Sequence, residues 1–210
     1  PPARHEVFGM SEALHSEDWI TEDRLEWWNA DYLDLLARRI GARRAEARSL
    51  ADFGCGEGHW TQLVATALPR LEALALVDME SEWLRRGGDR LDLLFPRMNI
   101  ERVCADARYT GLADESFDLV TAQTLLLHVV TPLEVIMEMK RVLRPGGCVL
   151  LAEPVNSLNA SLFFELAGRA TVEQRVALMD IWLRHVARNR ETKGDHDIGL
   201  RLPELLEAAG

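Results

Sequence analysis

Leu50-Ala51-Asp52-Phe53-Gly54-Cys55-Gly56-Glu57-Gly58 is an apolar run carrying one acid, followed by three glycines on alternate positions. His59 to Leu68 comes next with helical spacing and is closed by Pro69. Glycines let a backbone turn sharply and approach a ligand closely, and a helix amino terminus presents unpaired N–H groups to a carboxylate or phosphate. Strand, glycine turn and helix in this order predict a nucleotide-like ligand at the turn. A tight strand-to-helix connection that binds nothing is the competing reading, and the rest of the chain separates the two.

Short apolar runs without strict alternation recur on both sides: Ser49 to Phe53, Leu74 to Val77, Ile100 to Cys104, Leu119 to Ala122 and Cys148 to Ala152. Runs of this kind suit strands buried on both faces of a parallel sheet. Between them lie helical stretches at His59 to Leu68, Ser81 to Phe95, weakened at Gly87-Gly88, and Leu133 to Leu143. The last is bounded by Thr131 as a cap, Pro132, Glu134 completing a capping box, and Arg144-Pro145-Gly146-Gly147 as a stop. Such alternation predicts an α/β fold: a Rossmann-like doubly wound sheet, mainly parallel, with right-handed crossovers.

Before the sheet, Leu25, Trp28, Tyr32, Leu35, Leu36 and Ile40 give an amphipathic helix over Thr21 to Ile40, and Arg38 to Arg48 reads as a polar connection. After it, Pro154 to Asp197 reads as mostly helical, a cap over the carboxyl edge of the sheet, and Leu202 to Ala209 as one more helix. We expect one domain: an N-terminal helical segment (1–48), a cofactor-binding core (49–154), and a helical cap with the final helix (155–210).

Two further acids fall at strand ends. Leu74-Ala75-Leu76-Val77-Asp78 places a carboxylate about 20 residues after the glycine turn, where dinucleotide-type folds hold ribose hydroxyls. Val103-Cys104-Ala105-Asp106-Ala107 repeats the pattern on the third strand.

With these residues the chain resembles a class I S-adenosylmethionine-dependent methyltransferase of the small-molecule type, from Leu50 through Pro154. Asp52 to Gly58 is similar to the first motif of that family, Asp78 to its ribose-binding acid, and Asp106-Ala107 to its adenine-contacting pair. Ser116-Phe117-Asp118-Leu119-Val120, Leu125-Leu126-Leu127-His128-Val129 and Arg141 to Gly147 resemble its later segments. The resemblance implies S-adenosylmethionine as cofactor and S-adenosylhomocysteine as product. It also implies that Gly54, Cys55 and Gly56 line the methionine portion and that Asp52 helps hold its ammonium group. Asp78 would then accept the ribose hydroxyls, Met79 pack on adenine, Asp106 and Ala107 recognise the adenine edge, and Gln123 face the reactive end. His128 is the first candidate for a general base, with a structural or helix-entry role open for it, and Glu153 at the end of the fifth strand competes for the part.

The end of the fourth strand, Thr121-Ala122-Gln123-Thr124, is unlike the Asn/Asp-Pro-Pro-aromatic motif of methyltransferases acting on planar amide or base nitrogens, which leaves a small-molecule oxygen, nitrogen or carbon acceptor. The family also ends its sheet with an antiparallel hairpin, expected here after Gly210. Two alternatives stay open: a nicotinamide-dependent oxidoreductase, although the third glycine comes only two residues after the second, and a non-catalytic scaffold that binds the cofactor.

Composition narrows the partners. With 34 acidic against 24 basic side chains the formal charge is -10, so a basic footprint for nucleic acid is missing. No apolar run approaches the roughly 18 residues of a membrane span, and Pro1 opens a polar stretch without a signal-peptide pattern. Cys55, Cys104 and Cys148 lack metal-type spacing. A soluble cytoplasmic protein without a metal is expected, with Asp195-His196-Asp197 a solvated stretch, His59 a residue of the first core helix, and Trp19, Trp27 and Trp28 packing groups or a lid.

Overall fold

A computed structural model describes residues 30–40, 43–158, 170–189 and 194–210. Five parallel strands form its sheet: β1 (Ser49–Phe53), β2 (Ala73–Asp78), β3 (Asn99–Cys104), β4 (Phe117–Gln123) and β5 (Leu143–Ala152), in the order β3-β2-β1-β4-β5. Helices α1 (Ala30–Ile40) and α2 (Arg43–Glu46) precede the sheet, and α3 (His59–Thr66), α4 (Ser81–Leu94) and α5 (Pro132–Val142) join its strands. Beyond β5 come α6 (Val172–Asn189) and α7 (Leu202–Ala209). This is the expected Rossmann-like architecture, and none of the described helices is long and apolar enough to cross a membrane.

Pleating sends alternate residues of each strand to opposite faces, and two apolar layers result. Ala51, Phe53, Ala75, Val77, Val120 and Ala122 pack on one side with Leu126, Ile136, Met139 and Leu205 of the turn after β4, α5 and α7. Leu50, Leu74, Leu76 and Leu119 pack on the other with Leu36, Trp60, Val64, Leu84 and Leu91 of α1, α3 and α4. The central strands are therefore sealed on both faces, which is why they read as continuous apolar runs. β3 departs from that reading: as an edge strand it is largely exposed, with Glu101 and Arg102 turned to solvent.

Several local expectations are corrected. The Arg38 to Arg48 connection contains the single turn α2, and the Thr21 to Asn29 part of the first helix lies outside the described residues, as do Trp19, Trp27 and Trp28. Of the helical stretch after β5, Leu162, Phe163 and Leu166 lie outside them too. β5 begins directly after α5, and Arg144 to Gly147 bulge out of the ladder, since Phe117 pairs with Leu143 and Leu119 already with Cys148. Thr131 does not cap α5 through its side chain; its hydroxyl donates instead to Glu134 Oε2 at 2.9 Å, so the capping box is not reciprocal. Asp195 and Asp197 are buried, not solvated. Asp197 Oδ1 accepts from Ser157 N at 2.7 Å, and Asp195 Oδ1 accepts from Asp197 N at 3.1 Å, so these acids tie the start of the final segment to the stretch that follows β5.

Helix α4 runs unbroken through Gly87-Gly88. A Cβ on Gly87 would stand 2.8 Å from Gly56 O and 2.9 Å from Glu57 C, and one on Gly88 would overlap the Arg102 side chain. The pair that looked like a helix weakness is what lets α4 lie against the glycine turn. Gly87→Val should therefore cost about 1–3 kcal/mol of stability, the range for an overpacked site, against a gain in helix propensity of only a few tenths of a kcal/mol. A chemical-denaturation midpoint equal to wild type would show that the turn yields without cost.

Candidate functional site

The glycine turn is built first by backbone. Gly54 N and Cys55 N both donate to Val77 O, at 2.7 and 3.0 Å, tying the turn to the end of β2. Gly54 and Gly56 have φ of 69° and 52°, a region that favours glycine. A Cβ on Gly54 would press into Leu125 at 2.8 Å, whereas one on Gly56 would meet nothing within 4 Å. The backbone at Gly56 thus faces open space, where a ligand can come close.

Asp78 shapes the neighbouring rim. Its Oδ2 accepts from Gly56 N at 2.8 Å and its Oδ1 from Glu80 N at 2.9 Å, with the side chain 9% exposed. A carboxylate oxygen has more than one lone pair, so both oxygens keep capacity for a ligand hydroxyl.

Above these groups opens a cavity of about 460 Å³, the size range of small-molecule sites. Gly54, Cys55, Gly56, Asp78 and Met79 line it on the β1 and β2 side, Asp106 and Ala107 beyond β3, Gln123 at the end of β4 and His128 beyond it. These nine residues, named separately along 75 positions of sequence, share one crevice at the carboxyl ends of the strands. Met79 is 63% exposed, an apolar side chain held at the rim.

Asp52 does not line the cavity. It is 1% exposed, behind the turn, and accepts from Thr61 Oγ1 at 2.5 Å. Burial, reinforced by the nearby charge of Asp78 and opposed by the Thr61 bond, pushes its carboxyl up to about 7. The contact with an ammonium group implied by the resemblance has no direct path here, because the side chain of β1 points into the layer under α3. Cys55 does line the cavity, and burial holds its thiol well above the ordinary range, so it stays neutral.

His128 ends a 3-10 turn, Leu126–His128, that carries it to the cavity. Glu153 holds that turn from beneath: Oε1 accepts from Leu125 N and Leu126 N, both at 2.9 Å, and Oε2 from Leu127 N at 3.4 Å. Burial raises the Glu153 carboxyl to about 7, against those three bonds. Its place is below the turn, not on the cavity wall. His59, the first residue of α3, is buried and reaches the wall, as does Trp60, whose Nε1 donates to Thr121 Oγ1 at 2.9 Å.

Trp60, Trp83, Arg108, Thr124, Leu125, Val129 and Val130 also line the cavity and were not anticipated. The aromatic and apolar members sit on helices and turns whose residue types do not distinguish wall from core. Arg108 had a visible signal, its position two residues after Asp106 on a strand-end loop. Thr124 has φ 56°, unusual for a β-branched residue, at the point where β4 hands over to the turn. Among the described residues no cluster of His, Cys, Asp and Glu could hold a metal ion.

A doubly wound parallel sheet with its crevice at the strand carboxyl ends, where the order reverses between β1 and β4, defines a nucleotide-binding domain of the Rossmann-like class. Within that class, residues 51–151 match the family described as "Methyltransferase domain". Over that segment the chain is similar to class I S-adenosylmethionine-dependent methyltransferases. It is 30% identical over 173 residues to the ubiquinone/menaquinone biosynthesis C-methyltransferase UbiE of Pseudomonas savastanoi pv. phaseolicola, covering 77% of this chain and 65% of that protein. It is 26% identical over 154 residues to the ubiquinone biosynthesis O-methyltransferase of Parvibaculum lavamentivorans, covering 73% of this chain and 59% of that protein. A crystal structure of a SAM-dependent methyltransferase from Aquifex aeolicus shares the fold with a TM-score of 0.54 at 17% identity, over 64% of this chain and 68% of that one. The chain spans 39% to 65% of the length of the curated relatives it matches first.

Proposed function

We propose that this protein transfers the methyl group of S-adenosylmethionine to a small, largely apolar acceptor of the quinol type, working in a reducing cytoplasm. One observation carries the reading: the open space over Gly56, the Asp78 carboxylate and the Asp106 strand end border a single cavity large enough for such a cofactor. S-adenosylmethionine, when bound, supplies a methyl group already activated by its sulfonium.

The residues would share the work as follows. Gly54, Cys55 and Gly56 hold the methionine portion through backbone, Asp78 accepts the ribose hydroxyls, Met79 covers one face of the adenine, and Asp106 with Ala107 meets its edge. Gln123 and His128 stand at the acceptor end, where Thr124, Leu125, Val129 and Val130 bring apolar surface and no formal charge. A neutral ring fits that wall better than a phosphate or carboxylate would. The two methyltransferase relatives named for quinone biosynthesis point the same way. Holding acceptor and donor in line contributes about 7–11 kcal/mol in well-oriented systems, and His128 would take the acceptor proton if the reacting atom carries one.

The test is transfer of label from methyl-tritiated S-adenosylmethionine to demethylmenaquinol in detergent, read as counts in the organic phase. Labelled quinone is expected. Binding of S-adenosylhomocysteine with no label in any quinol or phenol offered would favour a scaffold, and binding of a nicotinamide dinucleotide alone would favour the oxidoreductase. In the active system His128→Ala should lower turnover by about 10²–10⁴-fold, the contribution of a general base, while sparing cofactor affinity. Full turnover in that variant would remove His128 from the chemistry.

A further inference from the structure

Among the described residues that line the cavity, Arg108 is the sole Lys or Arg. Its backbone N and Nε donate to Asp106 Oδ1 at 2.9 and 3.0 Å, and Nη2 donates to Oδ2 at 2.7 Å. Three donors converging on one carboxylate hold acid and guanidinium in a common plane, the forked geometry that a lysine cannot supply. Nη1 lies 3.7 Å from Glu134 Oε2, beyond hydrogen-bonding distance, so it keeps its capacity to donate. The Arg108 bonds hold the Asp106 carboxyl below its ordinary value, so this acid accepts and does not donate.

The wall at this point therefore presents an acceptor beside a donor at fixed spacing. Adenine is complementary through its amino group, which donates, and the adjacent N1, which accepts. An oxo-purine reverses both: a carbonyl oxygen faces the carboxylate, and N1, which now carries a hydrogen, turns a second donor toward the guanidinium. We propose that Arg108 is a specificity-determining residue that reads the purine together with Asp106, so that the pair selects amino- over oxo-purine ligands. The inference rests on the cavity being the S-adenosylmethionine site. It goes beyond the family resemblance, which concerns Asp106 and Ala107 and assigns Arg108 nothing. A surface ion pair with no ligand role is the contrary case, and such pairs contribute little by themselves.

Calorimetry on the intact protein with S-adenosylhomocysteine and its deaminated analogue S-inosylhomocysteine tests it. Wild type should prefer the adenosine compound by about 5- to 150-fold, the range for one well-made bidentate base contact. Arg108→Met, which keeps bulk, removes the donors and leaves Asp106 in place, should reduce that preference by weakening the adenosine compound while leaving the inosine compound largely unchanged. Arg108→Lys should follow Met, because it restores charge without the fork. Either variant alone suffices if the other does not fold. A preference undiminished in Arg108→Met, or fully retained in Arg108→Lys, would overturn the proposal. Failure of the wild type to bind S-adenosylhomocysteine at all would instead overturn the reading of the cavity on which it rests.

Discussion

Replacing Asp78 with alanine is expected to weaken S-adenosylhomocysteine binding by about 1–3 kcal/mol, or roughly 5- to 150-fold, the cost of removing one partner from buried hydrogen bonds. Two effects act together. The ribose site loses its acceptor, and Gly56 N and Glu80 N lose the carboxylate that orients them. Asp78→Asn separates them, since the amide oxygen can still accept one backbone bond while the charge is gone. Calorimetry should rank wild type, Asn and Ala in that order of affinity. Equal affinity in all three would mean that the ribose lies elsewhere in the cavity.

The second large effect is on stability against pH in the ligand-free protein. Asp52 and Glu153 have folded-state values of about 7, pushed up by burial. Their unfolded values are near those of ordinary carboxylates, about 4. Between the two, the folded state holds protons that the unfolded chain has released, so stability falls as pH rises, by about 1.4 kcal/mol per pH unit for each group. Below about pH 4.5 the opposite applies. Arg141 holds Glu138 down at about 2, and Asp106 is likewise lowered by Arg108, so the stability they contribute is lost as acid protonates them. The melting temperature should peak near pH 5 and decline toward neutrality. Asp52→Asn retains an acceptor for Thr61 and removes one titration, so it should be more stable than wild type at pH 7.5 and show a shallower decline. A decline as steep as in wild type would exonerate Asp52.

Such a buried acid beside a binding turn was legible as a residue type but not as a position. Asp52 and Asp78 stand at similar places relative to their strands in sequence, yet one is sealed beneath α3 and the other forms the rim. The difference comes from the pleat. Asp52 is inside β1 and its side chain goes to the α3 face, whereas Asp78 is the last residue of β2 and bonds to the turn. Glu153 likewise read as a rival base, and only its three bonds to backbone amides show it as a support for the turn that ends at His128.

What sequence by itself determined was the alternation of elements, the parallel sheet and the ligand turn, because apolar periodicity and glycine chemistry are local properties that neighbours in the chain suffice to set. Tertiary structure alone decided which acids meet solvent and which are buried, why α4 tolerates Gly87-Gly88, and that the Asp106–Arg108 pair shares a cavity wall with the glycine turn and His128. Those outcomes depend on the approach of segments distant in sequence, and close packing, not local propensity, sets where they touch.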